Sequence, residues 1–180
     1  TDRIEKIINS MRQHNMDQMV ISDPSTIFYL TGKFVASGAR LFALCLDTQG
    51  ACTFFINSLQ TDYAPLAEGA EIVWYTDSDD SIQILAKKIR TGGTVGIDKN
   101  WPSSFLLRLM AAADAKYVLN SGIIDYIRMV KDDGEIQLMR ETQAVNEKVI
   151  SEMFQYVSPE LTEQKHHRML HEMYCAHGAD

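Results

Sequence analysis

The chain has 180 residues, 46% of them apolar, and carries 17 Lys and Arg against 24 Asp and Glu for a formal charge of −7. That is the composition of one or two globular domains with a sizeable core, not of a disordered chain. The acidic balance, with no basic run longer than Lys87-Lys88, argues against a nucleic-acid partner. No stretch approaches the ~18 uncharged apolar residues of a membrane span. The opening Thr1-Asp2-Arg3-Ile4-Glu5 alternates charges and does not read as a secretory signal. Cys45, Cys52 and Cys175 are odd in number and widely spaced, so they are expected to be free thiols in a reducing cytoplasmic compartment.

In chain order, Ile4, Ile7, Ile8 and Met11 fall at i, i+3, i+4, i+7 and predict an amphipathic helix. Met19-Val20-Ile21 predicts a short buried strand stopped by Asp23-Pro24. A short apolar segment, 25–30, ends at Thr31-Gly32. Residues 41–47 and 51–56 are apolar runs around Thr48-Gln49-Gly50, the pattern of a hairpin with a glycine-containing turn. A weaker helix over 59–67 contains Pro65. A strand over 71–75 precedes a helix capped by Asp80, with Ile82, Leu85, Ala86 and Ile89 on one face. Strands over 94–97 and 116–119 flank a helix marked by Phe105, Leu106, Leu109 and Met110. The alternation predicts an α/β domain, a sheet flanked by helices, over residues 1–125.

From Gly122 to Gly178 there is no strand signal. Asp132 and Glu135 form an Asp version of the capping box and open a long helix. Leu138, Thr142, Val145, Val149, Met153 and Tyr156 make its apolar stripe, and Ser158-Pro159 ends it. Thr162 caps a further helix, with Glu163 in its first turn to suit the helix dipole. Residues 126–180 are thus helices with an apolar stripe and no sheet to lay it on. The helices of residues 133–178 are expected either to pack on a second copy of the chain or to be mobile. The chain stops soon after the helix-stop at Gly178, which suggests part of a longer protein.

Four groups of residues are candidates for chemistry. His167 and His171 share a helix face at a spacing compatible with zinc, with His166 nearby, but His-Glu-x-x-His is absent because Cys175 stands where the second His would be. Asp77, Asp79 and Asp80 look like a metal loop but lack the glycine and distal glutamate of a calcium site, and a turn with a cap explains them more simply. Asp98 ends a strand, a position open to catalysis, yet Asp98-Lys99-Asn100 also reads as a turn. Arg40 closes the small-residue run Ala36-Ser37-Gly38-Ala39 and could clamp a carboxylate or simply stay in water. None of these is a complete catalytic constellation.

Several stretches together resemble the pita-bread metallopeptidase group, which includes Xaa-Pro dipeptidases (prolidases), Xaa-Pro aminopeptidases and creatinases. Ser-Thr-Ile-Phe-Tyr-Leu-Thr-Gly at 25–32 is similar to the group's Tyr-Leu-Thr-Gly segment, and 37–47 to the loop and strand after it. Val95-Gly96-Ile97-Asp98 resembles a later strand end. The run from Arg128 to Ile136, with Lys131 and Glu135, resembles the entry into the catalytic domain. Residues 158–163 resemble the Pro-Gly-x-Thr-Glu turn, with Glu160 where glycine is usual.

The resemblance implies a creatinase-type N-terminal domain, a mixed β-sheet flanked by helices, over 1–125. Residues 126–180 would be the opening helices of an incomplete pita-bread domain. It implies a parent metallopeptidase acting on short proline-containing peptides with two divalent metal ions (manganese, cobalt or zinc), whose ligands would follow this chain. The domain's expected part is homodimerisation and shielding of the site, with this span inactive alone and holding no catalytic or metal-ligating residue. His166, His167, His171, His177 and Asp180 inherit no role. In creatinases the loop equivalent to Gly38-Ala39-Arg40 carries aromatic-Gly-Arg and reaches the neighbouring subunit's site. Arg40 matches and is the candidate substrate-side cation, while Gly38 replaces the aromatic and weakens a creatinase-type amidinohydrolase reading. A non-catalytic pita-bread peptide-binding protein is the other alternative.

Overall fold

The computed structural model describes residues 2–35, 38–60 and 69–179. They form two compact units, Thr1–Met129 and Val130–Asp180, divided at the end of the helix that contains residue 125.

The first unit opens with α1 (Asp2–Gln13), whose Ile4, Ile7, Ile8 and Met11 are buried as their spacing requires. After β1 (Gln18–Ile21) comes α2 (Pro24–Thr31). Asp23 caps α2 by accepting from the Thr26 amide at 2.8 Å. Pro24 sits where no N–H is needed, and Gly32 stops the helix in the left-handed region at φ +73°. β2 (Ala43–Asp47) and β3 (Cys52–Asn57) form the expected hairpin. Asp47 Oδ1 accepts from the Gln49 and Ala51 amides at 2.8 and 2.9 Å and so fixes the turn. β4 (Glu71–Tyr75), α3 (Ser81–Ala86), β5 (Thr94–Ile97), α4 (Ser103–Ala112), β6 (Lys116–Leu119) and α5 (Ser121–Met129) follow. The helix expected over 59–67 lies almost wholly outside the described residues; Ser58 and Leu59 form a turn.

The strands make one mixed sheet in the order β4-β3-β2-β1-β5-β6. β1–β2 and β2–β3 are antiparallel, and the other pairs are parallel. Alternation along each strand feeds two cores. Met19, Ile21, Leu44, Leu46, Phe54 and Ile56 face α1, α2 and α5, which contribute Ile7, Ile27, Leu30, Ile123 and Ile124. Val20, Ala43, Cys45, Phe55, Val95 and Ile97 face α3 and α4 through Ile82, Leu85 and Leu109. β1 is buried along its whole length because it is central and covered on both faces. Gly96 leaves room for a neighbour: a Cβ there would run into the thioether of buried Met16, which would have to shift.

This layering places the polar features. β1 and β5 are parallel neighbours. Yet α2, after β1, packs on one face of the sheet, and α4, after β5, packs on the other. The two connections therefore diverge and leave a crevice beyond the C-terminal ends of β1 and β5.

The second unit has α6 (Asp133–Met153), a short 3₁₀ turn (Phe154–Tyr156) and α7 (Glu163–Ala176). Asp132 and Glu135 make the expected reciprocal capping box, and Thr162 caps α7. α7 meets the C-terminal half of α6: the Tyr174 hydroxyl donates to Asn146 Oδ1, and His177 Nε2 lies 3.3 Å from Glu152 Oε2. Of the apolar stripe, only Val149 and Met153 are buried, while Leu138 is 64% exposed.

Candidate functional site

Arg40 lies in the turn just before β2. Its Nε and Nη2 donate to Asp77 Oδ1 and Oδ2 at 2.8 and 2.7 Å, a bidentate fork. Asp77 follows β4, and its Oδ1 also accepts from Asn57 Nδ2 at 2.8 Å. Asn57 ends β3 and is fully buried. Its own Oδ1 accepts from the Leu59 amide at 3.0 Å. The Tyr75 hydroxyl donates to the Leu41 carbonyl at 2.6 Å. The ends of β3 and β4 and the approach to β2 are thus laced together. The Arg40 hydrogen bond, helped by Asn57, holds the Asp77 carboxyl below its ordinary value, and Asp77 in turn raises the Arg40 guanidinium. Both side chains remain accessible, 42% and 56% exposed. Arg40 is therefore neither free in water nor turned into the core; it is engaged by an internal carboxylate at the surface.

The acidic run does not converge. Asp77 belongs to Arg40 and Asn57. Asp79 accepts from the Thr76 amide and hydroxyl, both at 2.7 Å. Asp80 caps α3 through the Ile82 and Gln83 amides and pairs with Arg108 at 2.8 Å. The helical histidines do not converge either. His166 Nε2 accepts from the Ser158 amide at 3.3 Å, and His171 Nε2 lies 3.8 Å from Cys175 Sγ. Among the described residues no three His, Cys, Asp or Glu side chains are placed to hold a metal ion.

Asp98 is 5% exposed. Its Oδ2 accepts from the Ser22 and Asp23 amides at 2.5 and 3.2 Å, and its Oδ1 from the Asn100 amide at 2.8 Å. It clamps the end of β5 to the start of the β1–α2 connection and closes its own turn. Burial pushes its carboxyl above the ordinary value against the pull of the three amides.

Beside it the crevice opens as a polar cavity of about 230 Å³, with Asp23, Lys99, Asp125 and Arg128 among its walls. Lys99 Nζ pairs with Asp125 Oδ2 at 2.7 Å. The Arg128 guanidinium lies 5.7 Å from the Tyr29 ring centre. Burial pushes Asp23 up, but hydrogen bonds from Thr26 and Asn100 outweigh it and hold the carboxyl below its ordinary value. Of this group, sequence reasoning singles out Asp98 alone. Asp23 to Arg128 spans most of the unit, and no local motif ties them. Asp77 is likewise not recognisable from sequence as the partner of Arg40, nor Asn57 as the residue that holds Asp77.

The profile of the Creatinase/Prolidase N-terminal domain matches residues 3–130. The chain belongs to this family. The match covers essentially the whole first unit, and the mixed sheet flanked by helices is the fold the sequence resemblance implied. Among curated relatives, an uncharacterized peptidase of Staphylococcus aureus strain MRSA252 is 24% identical over 170 residues, covering 91% of this chain and 46% of that protein. Among solved structures, a recombinant prolidase from Thermococcus sibiricus superposes with TM-score 0.90 at 22% identity, over 98% of this chain and 50% of that one. A dipeptidase from Pyrococcus horikoshii OT3 gives 0.86 at 21% identity, over 97% and 49%. The creatinase/prolidase N-terminal domain of an X-Pro dipeptidase from Streptococcus pyogenes gives 0.63 at 20%, over 72% of this chain and 98% of that one. This creatinase/prolidase N-terminal domain and its two following helices thus span about half the length of the curated relatives they match. Among the described residues no helix is long and apolar enough to cross a membrane.

Proposed function

We propose that the chain is the N-terminal portion of a cytoplasmic, metal-dependent Xaa-Pro peptidase, a dipeptidase or aminopeptidase, in which it pairs subunits and walls the site while being inactive alone. The observation that carries this reading is the family match over 3–130 combined with superposition of nearly the whole chain on half of a solved prolidase. The two divalent metal ions of such an enzyme, manganese, cobalt or zinc, would supply an activated water. Among the described residues there is no fitting donor set, and the ligands are expected in the part of the relatives' length that this chain does not span.

Within this chain, Arg40 is the group assigned to the substrate side. Its guanidinium sits in a planar fork with a carboxylate at the surface, where both side chains stay accessible and water and other carboxylates compete for the guanidinium. A peptide's terminal carboxylate offers the guanidinium the same planar fork that Asp77 gives it.

The test uses the chain extended to the length of the solved dipeptidases, supplied with each metal in turn and offered alanyl-proline. The extended protein should hydrolyse it as a dimer, and the 180-residue chain should not. Arg40→Ala in the extended protein should raise KM with kcat nearly kept, as for a group that binds substrate equally in ground and transition states. Hydrolysis by the 180-residue chain, or none by the extended protein with any metal, would overturn the proposal.

A further inference from the structure

We propose that the crevice at the C-terminal ends of β1 and β5 binds a small zwitterion of amino-acid size. The inference concerns this unit alone and does not rest on the peptidase reading. Its first support is topology. In open α/β sheets ligands gather where neighbouring parallel strands send their connections to opposite faces. Here α2 and α4 part in that way, and a cavity lies at the parting.

Size narrows the ligand. A volume of about 230 Å³ holds roughly seven waters at their liquid share and falls below the range of sites for drug-sized molecules. A ligand held within the crevice itself is of amino-acid rather than nucleotide size. An amino acid of six to ten heavy atoms has about the same count as those waters.

Charge narrows it further. Asp23, Asp98 and Asp125 face Lys99 and Arg128, so the walls hold both signs with one negative charge in excess. A phosphate or other simple anion meets three carboxylates, and a simple cation meets two bases. A zwitterion satisfies both. Asp125 engages Lys99 through Oδ2 only, and Asp23 receives Asn100 Nδ2 at 3.0 Å on Oδ1, so both carboxylates keep acceptor capacity for an ammonium group. Ser25 and Ser121 also line the cavity. Serine hydroxyls are donors for a carboxylate, and the Arg128 guanidinium adds its charge to the wall. If the parent is a peptidase, its products have this chemistry, and the crevice would be a place where they act back on the protein.

The test is a titration of the nitrogen-15-labelled 180-residue chain with L-alanine, followed by amide shifts, with acetate and methylammonium as half-ligand controls. Shifts at Ser25, Thr26, Asn100 and Ser121 should saturate at about millimolar alanine, a reasonable affinity for so few atoms, and neither half-ligand should match it. Asp125→Asn and Ser25→Ala should each weaken binding, the former by about tenfold as a charge-assisted hydrogen bond is lost. Spectra away from the crevice should stay unchanged, which shows that the variants fold. The absence of saturable shifts, equal shifts with acetate (an adventitious ion only), or binding indifferent to both substitutions would each overturn the proposal.

Discussion

Replacing Asp98 by asparagine sets two physical effects against each other. The substituted amide carries no charge, so the desolvation that pushes the wild-type carboxyl upward is removed. That amide also keeps an acceptor at only one of the two oxygen positions. With its carbonyl at the Oδ2 position it still serves the Ser22 and Asp23 amides, but its NH₂ then faces the Asn100 amide, donor against donor. A buried donor left without a partner costs about 1–3 kcal/mol. Part of that is returned by the lost charge, so a net loss of about 1–2 kcal/mol is expected at neutral pH, a substantial share of a typical domain's 5–15 kcal/mol.

The pH dependence supplies a second readout. The folded-state pKa of Asp98 lies above its unfolded value, so the folded state binds the proton more tightly. The stability this provides is full below the ordinary value of 3.8 and fades as pH rises through the folded pKa. The gap between wild type and Asp98→Asn should therefore widen as pH falls and level off below 3.8. Carboxylates remote from Asp98 titrate in both proteins and cancel in the difference, whereas Asp23, whose charge also raises Asp98, is coupled to it. Urea unfolding followed by the fluorescence of Trp101, buried with its indole N–H on the Val20 carbonyl at 3.1 Å, reports both. An Asp98→Asn protein as stable as wild type at neutral pH, or a gap that narrows on acidification, would refute this account.

Gly96→Ala should destabilise the first unit by about 1–3 kcal/mol, the usual cost of overpacking, because the new methyl meets the buried Met16 thioether. Adding Met16→Ala should then make the Gly96→Ala change nearly neutral, a coupling measurable in a double-mutant cycle by denaturant unfolding. Alkylation should separate the cysteines. Burial pushes Cys45 up to about 12 and Cys52 up to about 11, whereas Cys175 is exposed. Mass spectrometry after iodoacetamide at neutral pH should find only Cys175 modified in the folded chain and all three thiols modified in urea.

Local chemistry in the sequence determined the elements. The spacing of Ile4, Ile7, Ile8 and Met11, the caps at Asp80, Asp132 and Thr162, and the runs that became β1 to β6 each act within one turn or one strand, where short-range sterics and hydrogen bonds suffice. α5 was less legible: it is short and directly follows β6, with Ile123 and Ile124 its only buried residues. The stripe of α6 was legible as a pattern, but how much of it is covered depends on how far its neighbours reach, which periodicity does not encode.

What only the tertiary structure decided is which charges meet. Arg40 and Asp77, Asp98 and Ser22, and Lys99 and Asp125 are 26 to 76 residues apart. Each pair forms because the sheet brings connections from distant parts of the chain, and for Asp125 the helix after β6, to the same side. Two surface ion pairs and a carboxylate–amide hydrogen bond are too weak and too undirected to bring such distant partners together unaided. Apolar burial on both faces of the sheet sets the strand order, and the polar side chains at the strand ends take the partners that this order gives them.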